Sequence, residues 1–121
     1  MTIQLPPSIQ GFFDHSNQRD WPAATHCFTR NAHVYDEKQN IDGHAAIEKW
    51  ISHAIGSTDA LHELISASAT ETDNPPVDLQ AMTEGRISVS ATVSGSFKGS
   101  PVILDYIFIL QDGLISRLEI A

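Results

Sequence analysis

The chain has 121 residues, a formal net charge of −8 and seven Lys+Arg spread singly along it. That balance argues against electrostatic binding to nucleic acid or to an anionic membrane surface, and it disfavours a polyanionic substrate unless a local basic pocket exists, which cations scattered singly do not suggest. The lone Cys27 excludes an intrachain disulfide, and no apolar run is long enough to span a bilayer. One domain over 1–121 is expected, large enough to bury a core without staples. Met1 to Pro7 lacks the basic and apolar regions of a secretory signal, so a cytoplasmic protein is expected.

In chain order, Pro6-Pro7-Ser8 predicts the start of a helix, because proline suits a first turn. Ile9, Phe12 and Phe13 then fall on one face. Asp20 caps a short second helix with Pro22 in its first turn and Ala24, Cys27 and Phe28 on its apolar side. Ala32 to Asp36 reads as a short strand. Asp42-Gly43 precedes a third helix in which Ile47, Trp50, Ile51, Ala54 and Ile55 share a face, with Gly56 as its expected C-terminal stop. From Leu61 to Thr72 small and β-branched residues take over, and Asp73-Asn74-Pro75-Pro76 breaks the pattern. Residues 77–85 read equally as strand or inserted loop.

Ile87, Val89, Ala91 and Val93 alternate with Ser88, Ser90, Thr92 and Ser94, the mark of a strand with one buried face. Lys98-Gly99-Ser100-Pro101 makes a turn. Val102 to Leu110 is apolar on both faces except at Asp105, which predicts a central strand. Asp112-Gly113 signals a hairpin into a last strand, Leu114 to Ile120. Helices first and strands second point to an α+β fold.

Three stretches carry a family resemblance: Asn17-Gln18-Arg19-Asp20-Trp21, Phe28 to Asp36, and Asp42-Gly43-His44-Ala45-Ala46-Ile47. Gly95 to Pro101 and Asp112 to Leu118 agree with it. In order and spacing they resemble the nuclear-transport-factor-2-like superfamily, in the branch of SnoaL-like polyketide cyclases and ketosteroid isomerases. The resemblance implies a cystatin-like α-α-β-α-β-β-β order: a cone-shaped, curved antiparallel sheet packed against three N-terminal helices, with a cavity between them. It also implies a homodimer through the outer sheet face. Because this fold hosts enzymes and binding modules alike, activity has to be argued from individual residues.

The resemblance places Asp36 where the isomerases and several cyclases keep a carboxylate base. A carboxylate in an apolar cavity loses solvation and becomes a better base; the other reading is that Asp36 caps the turn into Glu37-Lys38. Aligned on the same motifs, Phe12 and Phe108 stand where the isomerases hold their oxyanion donors, and neither can donate a hydrogen bond. Tyr106, on the face of Leu104 and Phe108, either offers a substitute hydroxyl or packs as core. Trp50 and Phe13 serve either as cavity walls or as ordinary helix–sheet core.

His15 follows the apolar face of the first helix and could reach a cavity mouth. His33 alternates away from Asp36, and His44 with Glu48 reads as a solvated helix pair. None of the six histidines forms a metal-binding motif; His62-Glu63 starts HExxH, but Ser66 stands at its second histidine. Cys27, on an apolar helix face, reads as an inert thiol. No metal and no cofactor is expected. The expectation is therefore a small apolar, carbonyl-bearing ligand, with Asp36 as general base of a cyclase or isomerase and Phe12, Phe13, Trp50, Tyr106 and Phe108 shaping the cavity. The rival expectation is a non-catalytic ligand-binding or protein-interaction domain. Whether residues 73–85 cover the cavity is left open by the sequence.

Overall fold

Pro6 and Pro7 fix the backbone for helix α1 (Pro7–Asn17), which buries Ile9, Phe12, Phe13 and Ser16 along one face. A computed structural model describes residues 4–70 and 78–121 of the chain. Arg19, at φ 64°, turns the chain out of α1. Asp20 then caps α2 (Trp21–Thr25), its carboxylate accepting from the Ala23 N–H at 3.2 Å.

Strand β1 runs from Phe28 to Asp36, starting earlier than the pattern from Ala32 suggested. It folds back at Glu37 and Lys38, both at positive φ (51° and 65°), into a short strand β2 (Gln39–Asp42). This primed turn matches the twist of the two strands, yet it contains no glycine or asparagine. Helix α3 (Gly43–Ala54) follows and buries Ile47 and Ile51.

Gly56 is not a left-handed stop. Its N–H still bonds the Ser52 carbonyl at 3.0 Å, and the chain turns three residues later at Asp59, φ 51°. A Cβ at Gly56 would meet the Ser52 carbonyl oxygen and, at 3.1 Å, the Trp21 ring. Close approach, rather than backbone handedness, favours glycine there.

Among the described residues the remaining strands are β3 (Leu61–Thr70), β4 (Gly85–Ser94), β5 (Val102–Gln111) and β6 (Leu114–Ile120), with a 3₁₀ turn at Leu79–Ala81. The break expected at Asp73-Asn74-Pro75-Pro76 lies outside the described residues. The six strands form one sheet in the order β2-β1-β6-β5-β4-β3, so β5 is central as its two apolar faces predicted.

All neighbouring pairs are antiparallel except one. β1 and β6 run parallel, with Val34 beside Leu118 and Tyr35 beside Glu119, so the sheet is mixed. A long connection separates these two strands in sequence, which is what a parallel pair requires. The ladder slips between Phe28 and His33 on β1, between Leu64 and Ser66 on β3, and between Ile109 and Leu110 on β5. Each irregularity bends and twists its strand, and together they curve the sheet around the helices.

The concave face carries Val34, Ile87, Val89, Phe108 and Leu118, all buried against Ile9, Phe12, Phe13, Ile47 and Ile51 from the helices. Burying each such side chain contributes about 1.5–3 kcal/mol. No helix among the described residues is long and apolar enough to cross a membrane.

Candidate functional site

Asp36 is the last residue of β1 and closes the hairpin opposite Gln39. Side chains alternate along a strand, so Asp36 shares the concave face with Val34. Its Oδ2 accepts a hydrogen bond from Trp50 Nε1 at 3.0 Å, which ties the end of β1 to α3. Oδ1 has no partner among the described residues. The carboxylate is thus held by one oxygen and available through the other.

A cavity of about 440 Å³ opens beside it, between α1, α3 and the concave face. Phe12, Trp50, Ile55, Val93, Phe97, Val102, Leu104 and Ile120 supply its apolar wall. Its polar groups are Asp36, Tyr106, His62 and Thr58, whose hydroxyl donates to the Ala54 carbonyl, with Glu37 and Lys98 exposed at the rim. A second, more polar groove of about 660 Å³ lies between α3 and the β1–β2 hairpin, and Asp36, Glu37 and Trp50 border both spaces.

Tyr106 pairs across the sheet with Val89 on one side and Ile120 on the other. Continuing the parallel register of β1 past Tyr35 sets Asp36 next to Ile120, so Tyr106 and Asp36 lie in one row, two strands apart. Burial raises the Tyr106 pKa well above its ordinary value, and the nearby Asp36 charge raises it further. The phenol therefore stays protonated and remains a hydrogen-bond donor. Its hydroxyl has no partner among the described residues and is not sealed from the cavity.

His62 was not singled out by the sequence as a site residue. It is an early residue of β3, opposite Val93 and on the face of Leu64. Its backbone N–H donates to Asn17 Oδ1 at 2.8 Å, and its carbonyl accepts from Asn17 Nδ2 at 3.0 Å. The ring sits among Phe13 (5.4 Å between centroids), Tyr106 (6.0 Å) and Phe12 (6.3 Å). Burial, assisted by the Arg19 charge, lowers its pKa to about 4, so the imidazole is neutral at pH 7. Arg19 itself clasps the Ala60 carbonyl at 2.6 Å and the Asp59 carboxylate at 2.6 Å. The alternation of His62 with Leu61 and Glu63 was the available signal, but it became informative only once the strand's inner face was known.

Of the six residues marked in the sequence, Asp36, Phe12, Trp50 and Tyr106 line the cavity. Phe13 and Phe108 do not. Both are buried behind it, with rings 5.8 Å apart at 76°, and they support the wall rather than form it. His15 does not line the cavity; its Nδ1 is buried without a partner, and its Cδ2–Nε2 edge lies beside Gly11. His44 bonds the Phe28 carbonyl at 2.8 Å instead of pairing with Glu48. His33 points to the other face and meets Asp42 Oδ1 at 2.6 Å.

Asp105 also lies on the outer face, where it accepts from Ser90 Oγ at 2.7 Å. Cys27 is half-buried, with its thiol pKa raised by burial to about 11, so little thiolate exists at neutral pH. No cluster of three or more His, Cys, Asp or Glu suited to a metal occurs among the described residues. None of residues 78–85 lines the cavity.

An available carboxylate oxygen, a protonated phenol and a neutral imidazole thus face one largely apolar space. Such a set can accept a proton at one point and donate a hydrogen bond to the developing negative charge at another.

No protein-family model and no curated protein matches the chain. Among solved structures, a candidate polyketide cyclase from Sinorhizobium meliloti is 32% identical, with a TM-score of 0.81 over 97% of this chain and 95% of that one. A candidate ketosteroid isomerase from Kribbella flavida is 16% identical, with a TM-score of 0.71 over 93% of this chain and 73% of that one. The canthaxanthin-binding orange carotenoid protein of Anabaena is 15% identical, with a TM-score of 0.78 over 99% of this chain but only 37% of that one. The last two likenesses concern the fold alone. Given the S. meliloti relative, similar over nearly the full length of both chains, the protein belongs to the nuclear-transport-factor-2-like superfamily, in its SnoaL-like branch.

Proposed function

We propose that the cavity takes a small apolar, carbonyl-bearing ligand and that Asp36 acts on it as general base, in a cofactor-independent isomerase or cyclase. The observation that carries this reading is the Asp36 carboxylate on the wall of an apolar cavity, fixed through Oδ2 by Trp50 with Oδ1 left available. Oδ1 removes a proton from the carbon next to the carbonyl. The electron pair moves onto the carbonyl oxygen, and the Tyr106 hydroxyl donates a hydrogen bond to the enolate so formed. Return of the proton at the same or another carbon, or attack of the enolate carbon on a second carbonyl, completes an isomerisation or a ring closure. Tyr106 would fill the role for which Phe12 and Phe108 have no donor.

The test is α-proton exchange of 2-tetralone in D₂O, followed by NMR. The protein is expected to accelerate exchange, Asp36→Asn to remove about 10²–10⁴-fold of that acceleration, and Tyr106→Phe to remove a smaller part. Equal rates for the wild type and Asp36→Asn would overturn the base assignment.

The absence of donors at Phe12 and Phe108 favours a second reading, a domain that binds such a ligand without transforming it. It predicts 2-tetralone binding that is unchanged in Asp36→Asn, with no exchange in either protein.

A further inference from the structure

The geometry points to His62 as a specificity residue: its Nε2 presents a bare lone pair to the cavity and accepts a hydrogen bond from a phenolic or enolic hydroxyl of the ligand, with Asn17 as the residue that positions it. This inference rests on the cavity being a ligand site and deepens that reading by naming a second functional group on the ligand.

The argument begins at the backbone. An N–H can only donate and a carbonyl can only accept. The two bonds between Asn17 and the backbone of His62 therefore fix which end of the carboxamide is oxygen: Oδ1 faces the His62 N–H and Nδ2 faces its carbonyl. The same Oδ1 lies 3.2 Å from His62 Nδ1. An acceptor oxygen at that distance calls for a proton on Nδ1. A neutral imidazole carries a single N–H, so Nε2 is left without one.

Nε2 has no partner among the described residues. It is not among the buried atoms that lack one, and the His62 side chain lines the cavity. The lone pair is therefore unsealed, on a side chain that borders that space. The ring is collared by Phe12, Phe13 and Tyr106. A donor that reaches Nε2 has to leave water for this aromatic surround. That favours a neutral hydroxyl on an apolar ring over an ammonium group, which would lose far more solvation. The ligand class that follows is a hydroxylated cyclic carbonyl compound.

The test uses two probes that differ by one donor, 2-naphthol and 2-methoxynaphthalene, titrated by calorimetry into the wild type and His62→Phe. The wild type is expected to bind the naphthol about tenfold more tightly than the ether. His62→Phe should lose that preference while keeping its affinity for the ether. Equal binding of the two probes by the wild type, or a preference that survives in His62→Phe, overturns the role of His62 and leaves the cavity reading intact. Failure of both probes to bind the wild type overturns the two together.

Nitrogen-15 NMR of the wild-type imidazole at pH 7 supplies a readout independent of any variant's folding. A protonated Nδ1 and bare Nε2 are expected, and the opposite tautomer contradicts the inference. Asn17→Asp sets a carboxylate against Nδ1 and is expected to favour the imidazolium. Nε2 then becomes a donor and the preference for the naphthol is lost. An unchanged ring state and an unchanged preference in that variant would remove Asn17 from its positioning role.

Discussion

His62 is a half-buried, neutral ring, and that has a consequence for stability. Its pKa is about 4 in the folded chain, against an ordinary value of 6.5. Between those values the unfolded chain binds a proton at His62 that the folded chain does not. Stability therefore falls as pH drops from about 6.5 toward 4 and is unaffected by this group above that window. Against His62→Gln, which cannot titrate, the wild type should lose roughly 2–3 kcal/mol of relative stability between pH 7.5 and pH 4.5. Guanidinium unfolding of both proteins at the two pH values measures the difference. A constant gap would mean that the ring is charged, or exposed, in the folded state. The place of Asp36 on the cavity wall was legible in the sequence because a family motif ends on it. His62 was not, because its environment is assembled from Asn17, Phe12, Phe13 and Tyr106, which only the tertiary fold brings together.

Among the elements, the β1–β2 hairpin matters most to the site, since Asp36 is its last strand residue before the turn. Glu37 and Lys38 both occupy left-handed backbone, a conformation that costs a side-chain-bearing residue about 1–2 kcal/mol. Lys38→Gly removes that strain but adds freedom to the unfolded chain. The expected net gain is roughly 0.5–1 kcal/mol, read as a higher denaturation midpoint with an unchanged denaturant slope. A loss of stability would show that the lysine side chain itself supports the turn.

The same turn explains why β2 was missed. Asp112-Gly113, at φ 51° and 80°, carries the usual hairpin residues and was read correctly, whereas Glu37-Lys38 adopts a similar bend with none of them. Helix α1, strands β4 to β6 and their turns were legible because their periodicity and punctuation are local. The parallel pairing of β1 with β6 was not, because it depends on contacts between distant parts of the chain. Gly56 misled for a third reason: its small size is used for packing against Trp21, not for a left-handed stop.

At the scale of the whole molecule, helices cover the concave face, and among the described residues none covers the outer face. Ile103 on β5 is 67% exposed, and Leu61 and Ile65 on β3 are 50% and 47% exposed. Exposed apolar surface of this kind is a common mark of an interface. We propose that two copies pair through it, with the Ser90–Asp105 hydrogen bond inside the contact. Light scattering is expected to give a dimer for the wild type and a monomer for Ile103→Lys, with the circular dichroism spectrum unchanged. A wild type that is monomeric at micromolar concentration would refute the pairing.

The central claim is that Asp36 and Tyr106 act together on a carbonyl compound held in the cavity. A crystal structure of the protein soaked with 2-tetralone tests it most directly. The expected result is the carbonyl oxygen within hydrogen-bond distance of Tyr106 Oη and the α-carbon about 3–3.5 Å from Asp36 Oδ1. Density for the ring in the polar groove beyond Trp50, or a carbonyl turned toward Lys98 at the rim, would contradict it.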